Sequence, residues 1–174
     1  GPCHLAVDSK GKFVFTANYG SGSVAALPIL ADGSLGEPIS VMQHSGSSVN
    51  PQRQSGPHAH CANLSPDERC LLVCDLGLDK VLVYRVGVAG QALVENDPPF
   101  TKLAPGAGPR HLTFSRDGKY VYVVNEMASS VTVLNYDPKH GTLLETQTTS
   151  TLPEGYTGNT TCAEIALHPS GKFL

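Results

Sequence analysis

Short apolar runs separated by polar turns recur along the whole chain. Where they are clearest, apolar and polar positions alternate, as at Val131 and Val133 within Ser130–Tyr136. That alternation is the mark of a strand that buries one face. The turn between the first two runs of each group keeps one form. It reads Asp8-Ser9-Lys10-Gly11-Lys12-Phe13, Ser65-Pro66-Asp67-Glu68-Arg69-Cys70, Ser115-Arg116-Asp117-Gly118-Lys119-Tyr120 and His168-Pro169-Ser170-Gly171-Lys172-Phe173. Gly11, Glu68, Gly118 and Gly171 are equivalent, with spacings of 57, 50 and 53 residues. A period of this size, holding several strands, predicts an all-β array of the propeller kind.

The third group is the most regular. Strands are expected over Arg110–Phe114, Tyr120–Asn125 and Ser130–Tyr136, with a weaker one over Leu143–Thr151. The second group repeats the plan at His60–Leu64, Cys70–Asp75, Lys80–Val86 and near Phe100–Leu103. The first gives His4–Val7, Phe13–Asn18, Ser23–Ile29 and Ile39–Gln43. A fourth group begins at Ala163–Leu167 and Phe173–Leu174. Four antiparallel strands in about 50 residues form one blade. The expected blades are therefore about 1–55, 56–105 and 106–160, with a further one starting at 161–174, all within one partial propeller domain. About three and a third repeats do not close a ring, which predicts a fragment of a larger propeller. A compact β-sandwich is the alternative, but it does not require the repeated turn.

Composition narrows the function. The chain has 174 residues, a net charge of −3 and no cluster of Lys or Arg, so a nucleic-acid surface is not expected. It has no apolar run long enough to span a membrane and no visible secretory pattern. Cys3, Cys61, Cys70, Cys74 and Cys162 are odd in number and form no CxxC pair. Cys70 and Cys74 fall inside a strand, where free cysteine behaves as a small hydrophobe. This usage predicts a reducing, cytoplasmic compartment. Oligomeric state stays open.

The antiparallel plan also locates candidate chemistry. The start of a first strand lies beside the end of the second. Arg110 and His111 are thus expected beside Asn125 and Glu126. His58 and His60 are expected beside Asp75, and His4 beside Asn18 and Tyr19. Glu164 opens the first strand of the fourth group. If first strands line the axis, these groups converge on one mouth. Positions equivalent to Arg110 are Cys3, His60 and Ala163, and those equivalent to His111 are His4, Cys61 and Glu164. Such differing residues suit an asymmetric site on a symmetric scaffold, although polar strand ends also serve simply to satisfy backbone groups. His58 and His60 are two apart and face one side of a regular strand. Spacing supplies no further ligands, so a metal is not expected. Neither a GxSxG elbow nor a phosphate loop leading into a helix is present.

At these residues a family resemblance emerges. Gly56-Pro57-His58-Ala59-His60, Pro105-Gly106-Ala107-Gly108-Pro109-Arg110-His111, Asn125-Glu126, Ala163-Glu164-Ile165 and His168-Pro169-Ser170-Gly171-Lys172-Phe173 together resemble the lactonase family of seven-bladed β-propellers. That family includes bacterial-type 6-phosphogluconolactonases and fungal carboxymuconate cyclases. The resemblance runs along essentially the whole chain. It implies a cofactor-independent enzyme acting on a lactone, and hydrolysis of a sugar lactone phosphate is the leading expectation. It also implies site groups at His58 or His60, Arg110 and Glu126, and an Arg in a segment beyond Leu174. In the role assignment that follows, Glu126 is the general base, with His60 as the other candidate, and Arg110 is the anion clamp. His58, His111, Asp75, Asn125, Glu164 and His4 are expected to line the substrate. Lactone formation from a muconate-type acid, or a non-catalytic binding or scaffold propeller, are the competing readings.

Overall fold

The computed structural model describes residues 1–88 and 90–174. It contains twelve strands: β1 (Pro2–Val7), β2 (Phe13–Asn18), β3 (Ser23–Pro28), β4 (Ser40–Gln43), β5 (Ala59–Leu64), β6 (Cys70–Asp75), β7 (Lys80–Val88), β8 (Gln91–Lys102), β9 (Pro109–Phe114), β10 (Tyr120–Asn125), β11 (Ser130–Asp137) and β12 (Thr142–Ser150). They form three four-stranded antiparallel sheets, ordered β1-β2-β3-β4, β5-β6-β7-β8 and β9-β10-β11-β12. No helix occurs among the described residues. Each sheet is a propeller blade. The first strands β1, β5 and β9 adjoin one another, and so do the last strands β4, β8 and β12.

The repeated turn has one geometry throughout. Gly11, Gly118 and Gly171 have φ of 61°, 70° and 72°, and Glu68 matches them at 55°. In each copy that residue's N–H donates to the carbonyl three positions back, at Asp8, Ser65, Ser115 and His168. A side chain at the head of the turn closes it. Asp8 Oδ1 accepts the Lys12 and Phe13 N–H groups, and Ser65 and Ser115 hydroxyls accept those of Cys70 and Tyr120. Glu68 occupies the left-handed position that glycine favours. Its carboxylate accepts the Ser9 N–H at 2.6 Å and the Ser9 hydroxyl at 2.9 Å, linking two blades.

Packing follows from the two-residue period. Leu71 and Val73 of β6 face the first blade and join Phe15, Ala17, Val24, Ala26, Tyr84 and Leu93. Cys70, Leu72 and Cys74 face the third and join Leu112, Val121, Val123, Leu134 and Tyr136. Every residue of β6 is therefore buried, and the second blade is covered on both faces. Cys61, Cys70 and Cys74 are free and buried in this core, where a thiol packs as a small apolar group.

Two expectations need correction. The last strand of the second blade starts at Gln91, well before Phe100. The polar segment from Glu95 to Pro99 carries two prolines. It is absorbed at a register shift, where Tyr84 faces Glu95 and Leu82 faces Phe100. Irregular ladder positions tolerate proline. In the fourth group, Ala163–Leu167 and Phe173–Leu174 form no strand. The turn itself closes, with His168 N–H donating to Phe173 O.

Candidate active site

The same irregularity occurs at the start of every blade. Register shifts fall between Pro2 and His4, between Ala59 and Cys61, and between the partners of Pro109 and His111. Cys3, His60 and Arg110 are therefore the extra, unpaired residues of three equivalent bulges. A bulge releases one residue from the ladder and re-aims its side chain. It also breaks the strict alternation that would put His58 and His60 on one side of a regular strand. The two rings meet through Tyr19 instead. His58 stacks on it with centroids 4.4 Å apart, and His60 meets it edge-on at 5.4 Å.

Glu126 lies at the centre of the cluster. Its Oε1 accepts from Arg53 Nη2 at 2.6 Å, and its Oε2 lies 3.2 Å from Arg110 Nε and 4.0 Å from His60 Nε2. The Glu126 side chain is 13% exposed, against 24% for Arg110 and 41% for Arg53. The predicted adjacency of Arg110 and Glu126 comes from β9 and β10, with Glu126 N–H donating to Gly108 O. Arg110 Nη1 also donates to the Ala163 carbonyl. Burial, and after it the Arg110 guanidinium, pushes the His60 imidazole down to about 4, so it is neutral at physiological pH.

A second group adjoins the first. His60 and His111 meet edge-on at 5.2 Å, and His111 and His4 at 5.0 Å. Glu164 holds His111 by Nδ1, at 3.0 Å from each carboxylate oxygen. Burial works against ionisation of Glu164, but hydrogen bonds from His111 and the Ile165 N–H outweigh it and hold the carboxyl below its ordinary range. His4 is pushed down by burial and by His111. Its Nδ1 accepts the Ala62 N–H at 3.3 Å. His60 Nδ1 and His111 Nε2 are buried without a protein partner.

Two expected substrate-lining residues sit elsewhere. Asp75 is fully buried. Its Oδ1 accepts the His58 and Gly77 N–H groups and its Oδ2 meets His44 Nδ1 at 2.6 Å, so it braces the His58 segment. Asn125 is also buried, and its amide donates to the Ser130 and Thr132 hydroxyls. A carboxylate or amide at the end of a middle strand has backbone and turn groups around it, and here these bond both Asp75 oxygens and the Asn125 amide nitrogen, while Asn125 Oδ1 stays buried without a partner.

Sequence reasoning did not find Arg53. It stands in the breaker-rich stretch from His44 to Pro57, as a lone cation just upstream of Gly56-Pro57-His58. That context is the one available signal, since loops on a rigid scaffold often carry function. Folding fixes the loop firmly. Asn50 Oδ1 accepts the Gln52 and Arg53 N–H groups. Gln54, fully buried, donates to Leu76 O and to Asp79 Oδ1. Asp79 further accepts from the Ser48 hydroxyl and the Gly106 and Gly108 N–H groups. One buried carboxylate thus ties the Arg53 loop to the entry of the Arg110 strand.

No group of three or more His, Cys, Asp or Glu residues among the described residues is arranged to hold a metal ion. What the cluster offers is a carboxylate between two guanidiniums, beside the neutral imidazole of His60, at one mouth of a propeller.

The family model "Lactonase, 7-bladed beta-propeller" matches residues 1–174. The chain belongs to the lactonase family. Among curated lactonase-family relatives, it is 38% identical over 173 residues to a 6-phosphogluconolactonase of Bacillus subtilis (strain 168), covering 99% of this chain and 48% of that protein. It is 35% identical to a 6-phosphogluconolactonase of Pectobacterium carotovorum, with the same coverage. Its fold matches a solved periplasmic gluconolactonase of Pseudomonas aeruginosa with a TM-score of 0.91 and 38% identity, over 98% of this chain and 48% of that one. The chain thus spans about half the length of the lactonase-family proteins it matches.

Proposed function

We propose that the protein containing this chain is a lactone hydrolase of the 6-phosphogluconolactonase type, opening 6-phosphogluconolactone to 6-phosphogluconate. The observation that carries this reading is the Glu126 carboxylate held between Arg53 and Arg110 beside neutral His60. The names of the Bacillus and Pectobacterium relatives support it. In this reading Glu126 takes a proton from water as the water oxygen attacks the lactone carbonyl carbon. Arg110, beside Glu126, stabilises the oxyanion that forms, an effect worth roughly 3–4 kcal/mol per donor in hydrolases. The tetrahedral intermediate collapses, the bond from the carbonyl carbon to the ring oxygen breaks, and the proton passes to that oxygen. Glu126 returns that proton itself, since His60 Nε2 lies 4.0 Å from its Oε2, beyond hydrogen-bond reach. All of these groups belong to the protein's own chain, so the step needs no cofactor.

A cytoplasmic location is proposed with this substrate, supported by buried free cysteines. No helix among the described residues is long and apolar enough to cross a membrane. The periplasmic gluconolactonase supports a second reading, in which the lactone carries no phosphate.

The test is hydrolysis of freshly prepared 6-phosphogluconolactone by the full-length protein, measured above the spontaneous rate. Faster turnover of that lactone than of glucono-δ-lactone is expected. No rate above background with either would overturn the hydrolase reading.

A further inference from the structure

We infer that Arg53 is the residue that recognises the substrate's phosphate, and so sets selectivity for a phosphorylated over a plain sugar lactone. The inference rests on the hydrolase reading above and deepens it.

The argument begins from what the two guanidiniums have left to give. An arginine carries five N–H donors. Arg110 gives Nε to Glu126 and Nη1 to the Ala163 carbonyl, and its side chain is mostly covered. It sits beside the base, where the lactone carbonyl must lie, and its remaining donors are the ones assigned above to the oxyanion. Arg53 gives only Nη2 to Glu126 within hydrogen-bonding distance. It is the most exposed member of the cluster. The bond with Glu126, and after it the nearby Tyr19 side chain, push its guanidinium up from its ordinary value, so its positive charge is secure. Its planar fork thus keeps exposed surface and donors to spare. Such a fork matches two oxygens of a phosphate.

The substrate supplies the complementary half. A lactone has no free carboxylate, so the one anionic group on 6-phosphogluconolactone is its phosphate. With Arg110 assigned to the oxyanion, Arg53, the more exposed cation, is the one to meet it. The Arg53 loop is also built for fixed presentation. Asn50, Gln54, Ser48 and Asp79 hold its backbone, and His58 stacked on Tyr19 lies alongside. A preorganised cation loses little entropy when a ligand binds.

The test compares full-length wild type with Arg53→Gln and Arg53→Lys on 6-phosphogluconolactone and on glucono-δ-lactone. The readout is the ratio of the two kcat/KM values. Arg53→Gln should lower that ratio by about ten- to a hundredfold, the worth of a charge-assisted hydrogen bond. Arg53→Lys should restore part of it. If Arg53 only positions Glu126, both substrates suffer alike and the ratio stays put, which overturns the inference. A binding arm separates this result from failure of the hydrolase reading. Calorimetry with 6-phosphogluconate and with gluconate should show wild type preferring the phosphorylated acid, and Arg53→Gln losing that preference even if no lactone is turned over. Equal affinity of wild type for the two acids, or a preference retained in Arg53→Gln, would sink the proposal.

Discussion

Arg53 Nη2 meets Glu126 Oε1 at 2.6 Å although the two residues are 73 positions apart. Arg53 comes from the loop that precedes the second blade, and Glu126 from just past the end of β10 in the third. Their contact exists because Asp79, in the turn between β6 and β7, gathers donors from the Arg53 loop and from the entry to β9.

Glu126→Gln keeps the shape of the side chain and removes its charge. Turnover of 6-phosphogluconolactone is expected to fall by about a hundredfold or more, the usual worth of a positioned base. The far-UV spectrum and melting temperature should stay close to wild type. Normal turnover would remove Glu126 from the role of base.

His60 gives a pH signature. Burial, and then Arg110, lowers its imidazole from 6.5 to about 4 in the folded protein. Between those values the unfolded chain binds the extra proton and the folded protein does not, so folding loses stability as pH falls. The contribution is full above pH 6.5 and declines toward pH 4. The His60 ring resonances should titrate near 4 by NMR. His60→Asn should flatten the stability slope in that window.

Asp75→Ala tests the brace beneath His58. The substitution strands the His58 and Gly77 N–H groups and leaves buried His44 without its partner. A loss of roughly 3 kcal/mol is expected in denaturant unfolding, since single buried groups left unpaired each cost about 1–3 kcal/mol. A loss under about 1 kcal/mol would show that the segment is held by other contacts.

Two glycines with similar backbone should respond differently to alanine. Gly11 has φ of 61° with open space around it, whereas a Cβ on Gly22, at φ 63°, would sit 2.5 Å from the Pro57 carbonyl oxygen. Gly11→Ala should cost about 1–2 kcal/mol from backbone strain alone. Gly22→Ala should cost more by about 1–3 kcal/mol, because Pro57 must move and overpacking carries that penalty. Equal melting temperatures for the two variants would refute the close approach.

The local pattern determined a great deal. Alternation and the repeated turn placed β2, β6 and β10 at their observed bounds, because these middle strands pair on both sides and carry the clearest apolar sequence. The equivalence of Cys3, His60 and Arg110 was also legible, since it follows from counting along a repeat. Local pattern alone could not reveal that all three are bulged, because a bulge is a mismatch between two strands and belongs to neither. The role of Asp75 was hidden for a similar reason. A carboxylate at a strand end looks the same whether solvent, a ligand or three protein donors surround it, and its burial depends on His44 from a distant loop. Arg53 is the clearest case. Its loop has no periodicity to read, and its partner Glu126 is brought to it only by stacking two blades. Sequence determined what each blade is, through short-range periodicity. The tertiary structure decided which polar residues share the mouth, because that depends on how rigid blades pack and on the buried carboxylate of Asp79 that locks one loop against the next.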